Sequence, residues 1–228
     1  MRFEDLNWMD VEKYLQGDDR LMLVLGACEQ HATLSLLTDI KIPLALADSA
    51  STQTGVLVAP PLNFGFSQYF REYPGTLSLR VPTLIAAVED IVRSAHHSGF
   101  RRVLILNGHG GNTPVNDHLN DVINDLPGMQ IRWYQWWDSH SVETVAMKHN
   151  LKPAHANWLE AFPFTVVGEV PEGEKVPPRV PSSIMDAATA RQVYGDGSFG
   201  GRYRVEDGIM REVLEAALED ILLLLRFE

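Results

Sequence analysis

The sequence predicts a layered α/β fold, on three observations. Short, mostly apolar runs such as Leu21–Leu25 (LMLVL) and Arg102–Leu106 (RVLIL) have the length of buried strands. Longer stretches repeat apolar residues at three- and four-residue steps, the period of one helix face. The two kinds alternate along the chain, as in strands joined by helical crossovers.

Taken in order, residues 9–16 read as a short helix and Leu21–Leu25 as the first strand. Val56–Ala59 (VLVA) is a second strand, ended by Pro60 and Pro61, which cannot continue a ladder. Residues 62–80 are rich in glycine and aromatics and suggest a loop followed by a short strand. From Pro82 to His97 the spacing of Leu84, Ala87, Val88, Ile91, Val92 and Ala95 predicts an amphipathic helix, stopped by Gly99. The strand Arg102–Leu106 follows, then a helix over 113–126 and a strand over Gln130–Trp137. Residues 168–181, with Pro, Gly and charge, read as an exposed loop, and Tyr194–Gly201 as a glycine-dense turn. Asp207 is placed to cap a last helix running to about Leu225. Its end, Ile221–Leu225, is apolar on every face, which predicts burial, here or against another subunit.

The length of 228 residues predicts a single domain, 1–228. A net charge of −11 argues against a nucleic-acid partner, which calls for basic residues to neutralise phosphates. One cysteine excludes an intrachain disulfide and suits a reducing cytoplasm. No run approaches the roughly 18 apolar residues of a membrane span, and the acidic start is unlike a signal peptide.

Three segments carry residue types suited to chemistry. After the first strand come Glu29, Gln30 and His31, with Asp39 following a short loop. Glu, His and Asp are the ligand set of catalytic divalent metals, although a capping Glu, a packed His and a helix-start Asp would look the same. After the strand RVLIL comes Asn107-Gly-His109-Gly-Gly-Asn112, at the carboxyl end of a strand, where open α/β sheets place ligands. A structural turn needs fewer glycines and no histidine; an anion cradle at the helix start is the rival functional reading. The third is His155 with Glu160, five apart, which can meet at a loop-to-helix junction. Together the segments suit one or two divalent metals with an acid/base group. Cys28 reads as core, Ser67 lacks the glycine of a nucleophile elbow, and Trp158 is a better pocket candidate than Trp133, Trp136 or Trp137.

These segments resemble the creatininase (creatinine amidohydrolase) family. The shared motifs are Glu29-Gln30-His31 with Thr38-Asp39, the unbroken Asn107-Gly-His-Gly-Gly-Asn112, and His155-Ala156 with Glu160. Pro74-Gly-Thr-Leu-Ser-Leu79 and Gly99-Phe100 add to the likeness, which covers about residues 20–165. The resemblance implies a three-layer α/β/α sandwich with a mostly parallel central sheet, commonly assembled as a homohexamer. It implies a metal-dependent hydrolase of a non-peptide C–N bond in a small cyclic or linear amide, using one or two Zn, Mn or Fe ions. Glu29, His31, Asp39, His109 and Glu160 would be ligands, Asp39 as the bridge and Glu160 as a supplementary ligand that also counts with His155 as catalytic, and His155 would donate or shuttle a proton beside the amide. The chain departs from the family in His31-Ala-Thr-Leu-Ser-Leu-Leu, which lacks a second His and a Pro, and in Phe70, where many members carry His. Gly111 stands where creatininase itself has Glu, which argues against creatinine as substrate. The loop change also leaves open a relative that binds a small molecule without hydrolysing it.

Overall fold

The computed structural model describes residues 1–228. Strands β1 (Arg20–Leu25), β2 (Leu57–Val58), β3 (Arg102–Asn107) and β4 (Gln130–Gln135) form one sheet in the order β2-β1-β3-β4, with every pair parallel. The helices are α1 (Trp8–Tyr14), α2 (Thr38–Thr54), α3 (Val81–Ser98), α4 (Thr113–Asn124), α5 (His140–Lys148), α6 (Ala187–Tyr194) and α7 (Asp207–Leu224). Side-chain alternation explains the apolar strand runs. Met22, Val24, Leu104 and Leu106 face one side with Leu46, Val142, Val213 and Ile221 of α2, α5 and α7. Leu21, Leu23, Leu25, Val103 and Ile105 face the other with Leu84, Val88, Leu119 and Val122 of α3 and α4. Both sheet faces are covered, so this is the three-layer α/β/α sandwich that the resemblance implied.

Several elements differ from the sequence reading. Residues 62–80 hold a 3-10 turn over Gln68–Phe70 and two isolated bridges, Leu25 with Leu62 and Cys28 with Leu77, in place of a short strand. β4 ends at Gln135, and Trp136–Asp138 turns as a 3-10 segment that breaks the strand alternation. Asp207 is the first residue of α7; Glu206 holds the cap position without a side-chain bond. Within the exposed 168–181 stretch, β5 (Glu174–Lys175) pairs antiparallel with β6 (Gly201–Arg202). At the end of α7, Ile221 and Leu225 are buried in the core whereas Leu223 is exposed. The helix α2 has no counterpart in the periodicity, because it buries polar and apolar residues together: Thr38, Asp39 and Ser51 lie inside with Ile42 and Leu46.

The amino ends of the strands carry a charge cluster. Arg20 pairs with Asp18 at 2.5 Å, and Arg102 reaches Asp18 at 3.4 Å and also pairs with Asp19. Arg20 donates to the Leu225 carbonyl at 3.1 Å and Arg132 to that of Leu224 at 3.1 Å. The Arg132 guanidinium lies over the Phe227 ring at 5.0 Å, so the chain terminus is clasped to this edge.

Candidate metal centre

The opposite, carboxyl edge of the sheet gathers the three sequence segments. Glu29 and His31 leave β1, Asp39 sits in the first turn of α2, and His109 follows β3. His155 precedes, and Glu160 ends, a 3-10 turn over Trp158–Glu160 that Asn157 caps, so their junction is a turn and not an α-helix. Two glycines bring α2 to the sheet: a Cβ on Gly26 would meet the Asp39 carbonyl oxygen at 2.4 Å and one on Gly108 at 1.9 Å. Pro43 has no N–H to return to that carbonyl, four residues back in the helix. Close approach therefore fixes Asp39 over the ends of β1 and β3.

Asp39 lies between two imidazoles. Its Oδ1 is 2.9 Å from His31 Nε2, and its Oδ2 is 2.9 Å from His109 Nδ1. Glu160 Oε1 is 3.8 Å from His31 Nε2, and Glu29 Oε2 is 3.6 Å from His109 Nε2. All but Glu160 are buried. The donor atoms form three tight groups: Glu29–Asp39–His109, His31–Asp39–Glu160 and Glu29–His31–His155.

These residues fit a divalent cation on two observations. First, His31 Nδ1 lies 3.0 Å from the Glu29 carbonyl oxygen, and His109 Nε2 2.8 Å from that of Phe66. A carbonyl only accepts, so each ring donates one N–H outward and turns its other nitrogen toward Asp39. Second, His31 Nε2 and Asp39 Oδ2 make no hydrogen bond despite their burial and short contacts. Buried polar atoms left in this way are costly, and a cation at their convergence satisfies them.

The electrostatics follow from the crowding of charge. Burial opposes a charge on His31, but the carboxylates of Asp39 and Glu160 outweigh it and raise its pKa to about 10. Burial is likewise outweighed at His109 by Glu29 and Asp39, which lift it to about 9. Asp39 is held well below the carboxylate range because His31 and His109 overcome its burial. Burial raises Glu160 to about 7 and pushes Glu29 up as well. His155 is driven well below the usual imidazole value by burial, reinforced by His31.

The centre floors a cavity of about 530 Å³ whose walls include Phe66, Tyr69, Phe70, Trp137 and Phe199, with Asp138 exposed on its lining. No Lys or Arg lines it. Trp158 is fully buried in the core and donates its Nε1 hydrogen to the Lys152 carbonyl, so Trp137 is the tryptophan of the cavity. Trp133 and Trp136 stay outside the lining, and the Cys28 thiol is half-buried, donating to the Gly75 carbonyl at 3.2 Å. Ser67 is buried in the cavity wall with its Oγ 3.3 Å from His109 Nε2. Sequence reasoning excluded Ser67 as a nucleophile and gave it no supporting place. Phe199 gives no signal of a role and Gln30 none beyond its place in the motif, since their contacts with His155 join separate parts of the chain.

One substitution tests how tightly the loop holds His109. A Cβ on Gly111 would lie 2.0 Å from the Phe66 carbonyl oxygen and 2.5 Å from His109 Nε2. Gly111→Ala is expected to displace the carbonyl that fixes the ring, costing about 1–3 kcal/mol of stability. It should weaken metal binding roughly 10–100-fold. Denaturant titration and metal-binding isotherms of the purified variant check both.

Fold and site together define an α/β protein with a carboxylate–imidazole centre at the carboxyl edge of a parallel sheet. The chain belongs to the creatininase family: the family model described as creatinine amidohydrolase matches residues 4–225. Creatinine amidohydrolase of Pseudomonas putida is 34% identical over 116 residues, 48% of this chain and 45% of that protein. A 2-amino-5-formylamino-6-ribosylaminopyrimidin-4(3H)-one 5'-monophosphate deformylase of Methanothermus fervidus is 35% identical over 116 residues, 48% of this chain and 44% of that one. These matched segments thus span less than half the length of the curated relatives. A solved manganese creatininase superposes with a TM-score of 0.86 at 24% identity, covering 99% of this chain and 97% of its own.

Proposed function

We propose that this chain is a metal-dependent amidohydrolase that cleaves a non-peptide C–N bond in a small cyclic or linear amide or formamide. The observation that carries the reading is Asp39 set between two imidazoles that each donate outward to a backbone carbonyl. Glu29, Asp39 and His109 would hold one divalent ion, and His31, Asp39 and Glu160 a second, with Asp39 shared. Bound there, Zn, Mn or Fe would supply Lewis acidity, lowering the pKa of a water and polarising the amide carbonyl. His155 stands beside Glu29, its Nδ1 3.8 Å from Oε1, and would pass to the departing nitrogen a proton that is made good, through Glu29, by the one the attacking water loses. Phe70 stacks on His155 at 4.9 Å and Phe199 packs beside it, also 4.9 Å from the ring, which fixes the plane of the imidazole in the cavity wall.

The aromatic walls and the absence of any Lys or Arg from the lining favour an uncharged or cationic planar substrate over a phosphorylated one. The exposed Asp138 carboxylate adds to that preference. A single domain, a cytoplasmic setting and a homo-oligomer, a hexamer by resemblance, belong to the same proposal.

The test is metal analysis joined to a substrate screen. Protein refilled with Zn, Mn or Fe should retain at least one ion per chain and turn over an amide, formamide or lactam. Sub-stoichiometric metal with no turnover would favour instead a family relative that binds a small molecule without hydrolysing it.

A further inference from the structure

Gln30 is buried beneath His155, and its amide orientation is fixed from both ends. The Ala32 N–H donates to Gln30 Oε1 at 3.1 Å, while Gln30 Nε2 donates to the Gly197 carbonyl at 3.1 Å. Turning the amide over would set N–H against N–H and oxygen against oxygen, so the NH₂ group is the end that faces His155. Its Nε2 lies 2.9 Å from His155 Nε2. An amide nitrogen only donates; the imidazole nitrogen opposite must therefore accept. The ring then carries its proton on Nδ1, the nitrogen directed toward Glu29 and the cavity.

The surroundings are built around this contact. Ala32 adopts φ +50, a conformation alanine seldom takes, and in it points its N–H at the Gln30 carbonyl. Gly197 has φ +101, and a Cβ there would lie 1.7 Å from Gln30 Oε1, so only glycine lets the amide sit where it does. Phe70, stacked at 13°, and Phe199 beside it pack against the imidazole and hold its plane.

We infer that Gln30 is a positioning residue that locks His155 in its Nδ1–H tautomer, so that the ring meets the substrate as a proton donor. The proton that Nδ1 gives to the leaving nitrogen is replaced by the one the attacking water loses, passed through Glu29 beside it. The ring therefore ends neutral as it began, and Gln30 holds the bare Nε2 throughout. The inference rests on the hydrolase reading for its consequence, although the tautomer itself stands on geometry alone.

The tautomer is read from solid-state ¹⁵N spectra of the zinc-loaded, [¹⁵N]histidine-labelled native chain, with His155 assigned by difference from His155→Ala. The expected result is a protonated Nδ1 and a bare Nε2; a protonated Nε2 overturns the inference whatever the activity. Gln30→Met keeps the length and removes the donor. It should lower kcat roughly 10–100-fold with KM and zinc content unchanged. In a His155→Ala background the same change should cost nothing further, because Gln30 acts through that ring. An unchanged kcat in Gln30→Met, or an additive loss in the double variant, overturns the positioning role. Full activity in His155→Ala alone would instead sink the role given to His155 in hydrolysis.

Discussion

Asp39→Ala is expected to abolish hydrolysis, by on the order of 10⁴-fold in kcat, the scale seen when one member of a catalytic unit is removed. Both three-residue groups proposed to hold cations contain Asp39, one through each oxygen. Its loss therefore breaks two groups at once, whereas Glu160→Ala would break one. Tightly bound metal, measured by elemental analysis after gel filtration, should fall below half an ion per chain. Circular dichroism should still report a folded sandwich, since both apolar layers lie away from this edge. Native-like activity with full metal content in Asp39→Ala would refute the assignment of the centre.

Chelation should have the largest effect on stability, and that effect should grow with pH. An ion present at about a thousand times its Kd stabilises by about 4 kcal/mol. For a chain of this size, removal then lowers Tm by roughly 8–16 °C. In the metal-free protein, His31 and His109 have pKa values raised to about 10 and about 9, against roughly 6.5 in the unfolded chain. A raised folded pKa contributes stability that is full below the unfolded value and is lost as pH climbs through the folded one. The chelated protein should thus weaken progressively from about pH 6.5 to pH 10. Metal uptake near pH 7 must displace those protons, so buffer-dependent calorimetry should record proton release that fades above pH 10. A stabilisation by metal that is flat across this range would contradict the crowding of His31 and His109 by carboxylates.

How much of this was legible in the sequence depends on how local the cause is. β1 and β3 are readable because burial on both faces requires uninterrupted apolar residues. The turn at His109 is readable because its glycines have no other use. α2 is not readable: its helix buries Asp39 for the centre and Pro43 against Gly108, and both choices erase an amphipathic stripe. The sequence favours Trp158 over Trp137 for the cavity and the structure reverses this, because a 3-10 turn follows β4, an event that no alternation pattern encodes. Gln30 stands in a recognisable motif, yet its purpose depends on His155 and Gly197, brought near only by the folded chain.

The clasp of Arg20 and Arg132 on the chain terminus has a consequence for how such a protein changes over time. The terminus is tied to one pole of the sheet and the reactive groups gather at the other, with the full length of the strands between them. Replacements among the wall residues Phe66, Tyr69 and Trp137 can reshape what the cavity admits without drawing on the contacts that secure the terminus. Mutations at the clasp, conversely, can adjust heat tolerance while the chemistry stays as it was. A scaffold divided in this way can acquire new substrates one side chain at a time.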